Sequence, residues 1–215
     1  MAISALQVKQ LRDKTDAGVM ECKAALQETN GDFEKAVIVL RKKGLAAAAK
    51  RADRIAAEGM VVSYIHPGNK VGVMVELSCE TDFVARGAEF QNLAKDIAMH
   101  VAAMDPKYIR KEDIPETVLN QEKEIYKEKA LSSGKPLNVV EKIVEGQLNK
   151  FYSEVCLYDQ PFVKDDKLKV GQLISEMILS TKENILVRRF ARFKVGEGLE
   201  KKGSDFATDV AAQLG

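Results

Sequence analysis

Apolar residues along this chain change their spacing several times, and each change marks an element. Val8 and Leu11 share one helical face, after Ser4 and Gln7 in capping-box spacing. Thr15-Asp16-Ala17-Gly18 interrupts, and Met20 to Glu28 carries a second short helix. Asn30-Gly31-Asp32 supplies a turn and an N-cap. Phe33, Val37 and Leu40 then recur at helical spacing, with Gly44 placed as a C-cap. Residues 1–44 therefore predict a three-helix module with a small core, marginal on its own. Residues 45–59 are rich in Ala and basic side chains and predict a solvated connecting helix that stops at Gly59.

The period then drops to two. Val71, Val73, Val75 and Leu77 alternate with Gly72, Met74 and Glu76, as in a half-buried strand. Met60 to Ile65 supplies its partner, and His66-Pro67-Gly68-Asn69-Lys70 the turn of a hairpin. Ser78 to Arg86 leads into a helix whose Phe90, Leu93, Ile97, Val101 and Met104 line one face, up to Asp105-Pro106. Residues 113–155 hold two charged helices around Ser132-Ser133-Gly134-Lys135-Pro136. Val118, Ile125 and Leu131 mark the first, and Leu137, Val140, Val144, Leu148, Phe151 and Val155 the second. They predict an antiparallel hairpin close to a coiled coil, roughly 25 Å long and projecting from the body.

Gln160-Pro161-Phe162-Val163 returns the chain to that body, followed by a helix over Val170 to Ser180 and a strand over Asn184 to Val195. Strict alternation in the strand groups Val187, Arg189, Ala191 and Phe193 on one face, with Arg188, Phe190 and Arg192 on the other. Ser204 then caps a C-terminal helix with Phe206, Val210 and Leu214 at intervals of four, within a unit at 200–215. The predicted class is α+β: one small antiparallel sheet with helices, its core split between residues 60–112 and 156–199.

Composition narrows the function. Among 215 residues, 33 Lys+Arg balance 32 Asp+Glu, for a net charge of +1. Proteins that grip nucleic acid carry a basic excess instead. No apolar run is long enough to span a bilayer, and MAISALQVKQ lacks the basic start and apolar run of a signal peptide. Cys22, Cys79 and Cys156 stand far apart, in no metal-ligand spacing, and fit reduced thiols of a cytoplasmic protein. There is no phosphate-binding GxxxxGK[ST] loop, and Gly196-Glu197-Gly198 is too short for a dinucleotide fingerprint.

His66 and His100 have no partner at triad or metal spacing, so neither an enzyme nor a metal or cofactor site is predicted. His66 fits a surface turn, and His100 a core or partner contact. The basic run Arg41, Lys42, Lys43, Lys50, Arg51 and Arg54 lacks an aromatic platform for RNA and fits a solvated helix face. Arg188, Arg189 and Arg192 are expected to pair with nearby carboxylates. Glu80-Thr81-Asp82-Phe83-Val84 stands apart. On the residues alone the plainer account is that Thr81 or Asp82 caps a helix and Phe83 joins the core.

Several stretches, taken in order, resemble the elongation factor Ts family. Val8-Lys9-x-Leu11-Arg12-x-x-Thr15-x-Ala17-Gly18-x-Met20-x-Cys22-Lys23-x-Ala25-Leu26 comes first. Gly31-Asp32-x-Glu34-Lys35-Ala36, Leu40-Arg41-x-Lys43-Gly44, Thr81-Asp82-Phe83-Val84 and Ile97-Ala98-Met99-His100 follow. Ser133-Gly134-Lys135-Pro136, Gln160-Pro161-Phe162-Val163 and Arg192-Phe193-x-Val195-Gly196-Glu197-Gly198 lead to the terminal helix. The likeness spans nearly the whole chain.

The resemblance implies a ubiquitin-associated-like N-terminal module, an α+β dimerisation core, a coiled-coil hairpin and a C-terminal module. It implies a guanine-nucleotide exchange factor of translation elongation, with elongation factor Tu as partner and a homodimer of the complex as one arrangement. Thr81, Asp82, Phe83 and Val84 match the segment that dislocates Mg²⁺ on that partner, and Arg12, Val19 and Met20 the face that meets its GTPase domain. His66, His100, Phe206 and Val210 are weaker contacts by the same likeness. Asp16 departs from the glycine common in the family, and the core holds one hairpin-plus-helix unit where longer members have two. Tyr64-x-His66-x-Gly68 resembles the second copy's turn, so one unit serves both roles or two chains share them. The competing readings are a ubiquitin-associated-like adaptor whose arm holds peptides or nascent chains, supported only by residues 1–44, and an RNA-binding protein.

Overall fold

A computed structural model describes residues 3–15, 17–134 and 136–199. Among these, α1 (Ala5–Thr15), α2 (Val19–Glu28) and α3 (Phe33–Arg51) come first. Their starts follow from local hydrogen bonding. Ser4 Oγ accepts the Gln7 N–H at 3.2 Å while Gln7 Oε1 accepts the Ser4 N–H at 3.0 Å, a reciprocal cap. Gly31 turns the chain at a φ of 85°, and Asp32 accepts the Lys35 N–H at 3.0 Å to open α3. Leu11, Leu26, Val37 and Leu40 are buried between the three helices.

Gly44 departs from expectation. It does not end α3, which continues through it to Arg51. There α3 crosses α8 (Val170–Thr181) so closely that a Cβ on Gly44 would lie 3.2 Å from the Ser175 carbonyl oxygen. The absent side chain serves helix contact, not termination. Ala47 and Ala48 pack, partly buried, on the main core, while most of residues 45–57 are exposed; the helix ends at Arg51, and Gly59 lies in the strand that follows instead of at a helix end. Leu179 of α8 completes the N-terminal core.

β1 (Glu58–Ile65) and β2 (Val71–Cys79) form the expected antiparallel hairpin, and β5 (Leu186–Lys194) pairs with the other edge of β2. Val62, Val73, Val75 and Leu77 face inward, where α5 (Ala88–Met104) lays Phe90, Leu93, Ile97 and Val101 across them. Between β2 and α5 lies α4 (Asp82–Ala85).

The predicted faces of β5 need correcting. A register shift opposite Glu76 and Leu77 leaves Arg188 as an extra residue, and such a bulge inverts the alternation beyond it. Val187, Phe190 and Arg192 point inward, while Arg188 and Arg189 both lie exposed. Both guanidiniums meet the Glu76 carboxylate, at 2.8 and 2.6 Å, and their hydrogen bonds hold that carboxyl below its usual range. Arg192 reaches Asp105 at 3.4 Å and Glu197 at 3.8 Å.

α6 (Glu116–Ser132) and α7 (Leu137–Val155) pack against each other across residues 133–136, with Val140 and Leu148 buried. A second small antiparallel sheet follows, β3 (Pro161–Phe162) with β4 (Asp165–Lys169), where a single sheet was expected. Two residues are too few to show a period of two. The mixture of helices and small antiparallel sheets is α+β. Among the described residues, no helix is long and apolar enough to cross a membrane.

Candidate partner-binding surface

β2 ends at Cys79, and the chain turns at once into α4. Thr81 caps that helix: its Oγ1 accepts the Val84 N–H at 3.4 Å. The cap is weak alone, but the turn is held from beneath by a second segment. Glu183 Oε2 accepts the backbone N–H groups of Glu80 and Thr81 at 3.1 and 3.0 Å, and Oε1 accepts the Thr81 hydroxyl at 2.6 Å. Glu80 Oε1 in return accepts the Asn184 N–H at 2.6 Å and meets Arg54 at 3.5 Å. Cys79 Sγ donates to the Thr81 carbonyl at 3.1 Å, and Val84 packs on the main core.

Above this base the side chains turn outward. Asp82 pairs with Arg86 at 2.7 Å at the surface. Phe83 is 84% exposed, so the expectation that it joins the core is overturned. A four-residue helix has a single turn, and here that turn buries Ala85 and aims Phe83 away. An apolar ring in water on a hydrogen-bonded base has the form of a binding anchor.

Arg12 and Val19 border one shallow groove with Ile3, Val8 and Lys23, and Met20, at the start of α2, is 74% exposed. The next residue, Glu21, pairs with Lys182, the immediate neighbour of Glu183. The helical face and the Phe83 turn are therefore joined through one corner. His66 is exposed in the β1–β2 turn, its Nδ1 3.2 Å from the Tyr64 hydroxyl. The nine residues of β2 rise about 3.3 Å each, so His66 and Thr81 sit at opposite ends of the strand. Asp16, Phe206 and Val210, with the rest of the predicted C-terminal helix, lie outside the described residues.

The expectation of a partner contact at His100 is corrected: its exposure is 0%. The Val163 N–H donates to Nδ1 at 3.2 Å, which leaves Nε2–H to donate to Gln160 Oε1 at 2.9 Å. Gln160 Nε2 then donates to the carbonyls of Glu154 and Met104 at 2.8 and 3.3 Å, fastening the ends of α7 and α5. Burial lowers the His100 pKa from its ordinary 6.5, against the Gln160 bond. Near and below pH 6.5 His100 thus binds its proton less in the folded chain than in the unfolded one, so its contribution makes stability rise with pH there and fall as acid is added. Denaturant midpoints measured from pH 7.5 to 5 are expected to drop, with a shallower slope for His100→Gln; equal slopes would exclude His100 as the source.

Burial pushes the thiols of Cys79 and Cys156 up to about 11 and about 12. Both are free, as is buried Cys22, and thiols so shifted are packing groups, not nucleophiles. Among the described residues no cluster of His, Cys, Asp and Glu has the form of a metal site.

The chain was also compared with known proteins. The family model described as Elongation factor TS matches residues 7–197. The chain belongs to the elongation factor Ts family. It is 61% identical to the Elongation factor Ts of Geobacter sulfurreducens and 59% identical to that of Geotalea daltonii, in each case over 215 residues and 100% of both chains. It is 56% identical to that of Carboxydothermus hydrogenoformans over 212 residues, covering 99% of this chain and 98% of the relative. Membership in the elongation factor Ts family gives the quoted Thr81 to Val84 stretch its setting. Sequence reasoning included Glu80 in this segment without giving it a role, and missed Glu183 and Asn184 beneath it.

Proposed function

We propose that the chain is a guanine-nucleotide exchange factor for elongation factor Tu in translation elongation, and that it performs no covalent chemistry. The observation that carries this reading is Phe83, exposed on a hydrogen-bonded base beside Asp82, within a chain of this family. Phe83 enters between helices of the partner while Asp82 disturbs the shell of the bound Mg²⁺. Loss of the metal leaves the phosphate charge of GDP unneutralised, and GDP departs. Arg12, Val19 and Met20 hold the GTPase domain during this step. By linkage, a factor that prefers the empty partner weakens GDP by the factor by which GDP weakens it. The test is to mix the chain with elongation factor Tu loaded with labelled GDP. Release is expected to accelerate, and calorimetry to give tighter binding to the empty partner than to the GDP form. Equal binding to both would end the proposal.

The finer architecture belongs to the same reading: a ubiquitin-associated-like module over residues 1–44, a coiled-coil arm over 113–155, and a core that dimerises. The outer sheet face supports dimerisation, because α5 covers the inner face while Val61, Ile65, Met74, Phe193 and Val195 stay exposed. A second copy laid on this face would bring the His66 turn of one chain toward the partner held by the other. Phe193→Asp, at an outer position 71% exposed, places a charge in that contact. Sedimentation is expected to give a dimer for the parent chain and a monomer for the variant, and an unchanged mass would remove this face from the interface.

A further inference from the structure

We infer that Glu183 is a positioning residue for exchange: its carboxylate, in the corner between α8 and β5, sets the pose of Phe83 against the N-terminal contact face. The inference rests on the proposed role of Phe83. Glu183 is half-buried, and its carboxylate bonds the turn that carries Phe83. It acts on the two peptide N–H groups just before Asp82 and on the Thr81 hydroxyl, at 3.0 to 3.1 Å and 2.6 Å. Charge-assisted hydrogen bonds of this kind are stronger than neutral ones, and three at once fix both the direction and the rotation of the turn. An alanine there would leave Thr81 with its 3.4 Å cap to Val84 and the Glu80 and Thr81 N–H groups without the carboxylate.

The two neighbours of Glu183 extend the joint. Lys182 ends α8 in the left-handed region at φ 65°. Its ammonium pairs with Glu21 of α2, and its carbonyl accepts Arg51 Nε at 2.9 Å. Asn184, buried, donates from Nδ2 to the Arg54 carbonyl at 2.7 Å and from its N–H to Glu80 Oε1 at 2.6 Å. Three consecutive residues thus hold α2, the end of α3 and the Phe83 turn. One partner molecule meeting Val19, Met20 and Phe83 finds their spacing already set, which removes an ordering cost from binding.

The test is a double-mutant cycle on stimulated GDP release from elongation factor Tu. Glu183→Ala is expected to slow release about tenfold, and to add less than about twofold once Phe83 is alanine, since residues acting through one another are non-additive. Glu183→Gln retains one acceptor and the side-chain volume, so it is expected to restore part of the rate. If Glu183→Ala loses its cooperative thermal transition, Glu183→Gln is read in the same cycle, with a smaller slowing that also vanishes beside Phe83→Ala. Glu183 variants at full rate, with Phe83→Ala slow, overturn the positioning role and leave the Phe83 reading intact. Slowing that multiplies with Phe83→Ala overturns it too, because Glu183 would then act elsewhere. Phe83→Ala at full rate is the separate failure of the underlying proposal.

Discussion

Phe83→Ala is expected to lower the affinity for nucleotide-free elongation factor Tu by about ten- to a hundredfold, with a matching fall in stimulated GDP release at low factor concentration. Moving a phenylalanine side chain from water into a packed site is worth about 1.5–3 kcal/mol, which is that range of affinity. The ring is 84% exposed, so truncation removes almost no internal packing and the melting temperature should stay within a degree or two of the parent. Core residues behave in the opposite way. Cutting Ile97, fully buried under the sheet, to alanine costs about 2–5 kcal/mol of stability. A Phe83 variant that releases GDP at the parental rate, or one that melts much earlier, would refute the surface-anchor account.

Elements with a repeating apolar period were legible in the chain itself. β2 alternates cleanly because one face is buried beneath α5, and α5 repeats at three and four because it lies on that sheet. What stayed hidden depends on neighbours distant in sequence. Gly44 follows a periodic run, as helix-ending glycines do, and only the passage of α8 shows why it lacks a side chain. Arg188 breaks the β5 alternation through a bulge set by pairing with β2, which no single strand reports. At the candidate site, Thr81 was readable as a cap, but the aim of Phe83 was not, since one helical turn has no period. Glu183 left no mark at all. Its partners are mostly backbone N–H groups, present at every residue but proline, so no side-chain pattern could point to it.

The contact between α3 and α8 leads to the other large effect. Gly44 is buried, and a Cβ there would meet the Ser175 carbonyl oxygen at 3.2 Å and its carbon at 3.5 Å. Both are backbone atoms, which cannot rotate away. Gly44→Ala asks for a shift of a few tenths of an ångström, against which a helix interior gains about 1 kcal/mol on replacing glycine by alanine; the two nearly cancel. Gly44→Val adds two further carbons and loses part of that gain, so α3 must move off α8 at a cost of about 1–3 kcal/mol. Separating these helices also strains the Glu21–Lys182 and Arg51–Lys182 contacts that hold the N-terminal face beside the Phe83 turn. Gly44→Val is therefore expected to lower the denaturation midpoint and to need more factor for half-maximal GDP release. Gly44→Ala should resemble the parent in both. A valine variant as stable as the parent would mean that the helices yield freely here, and that their close approach does not fix the spacing of the two contact faces.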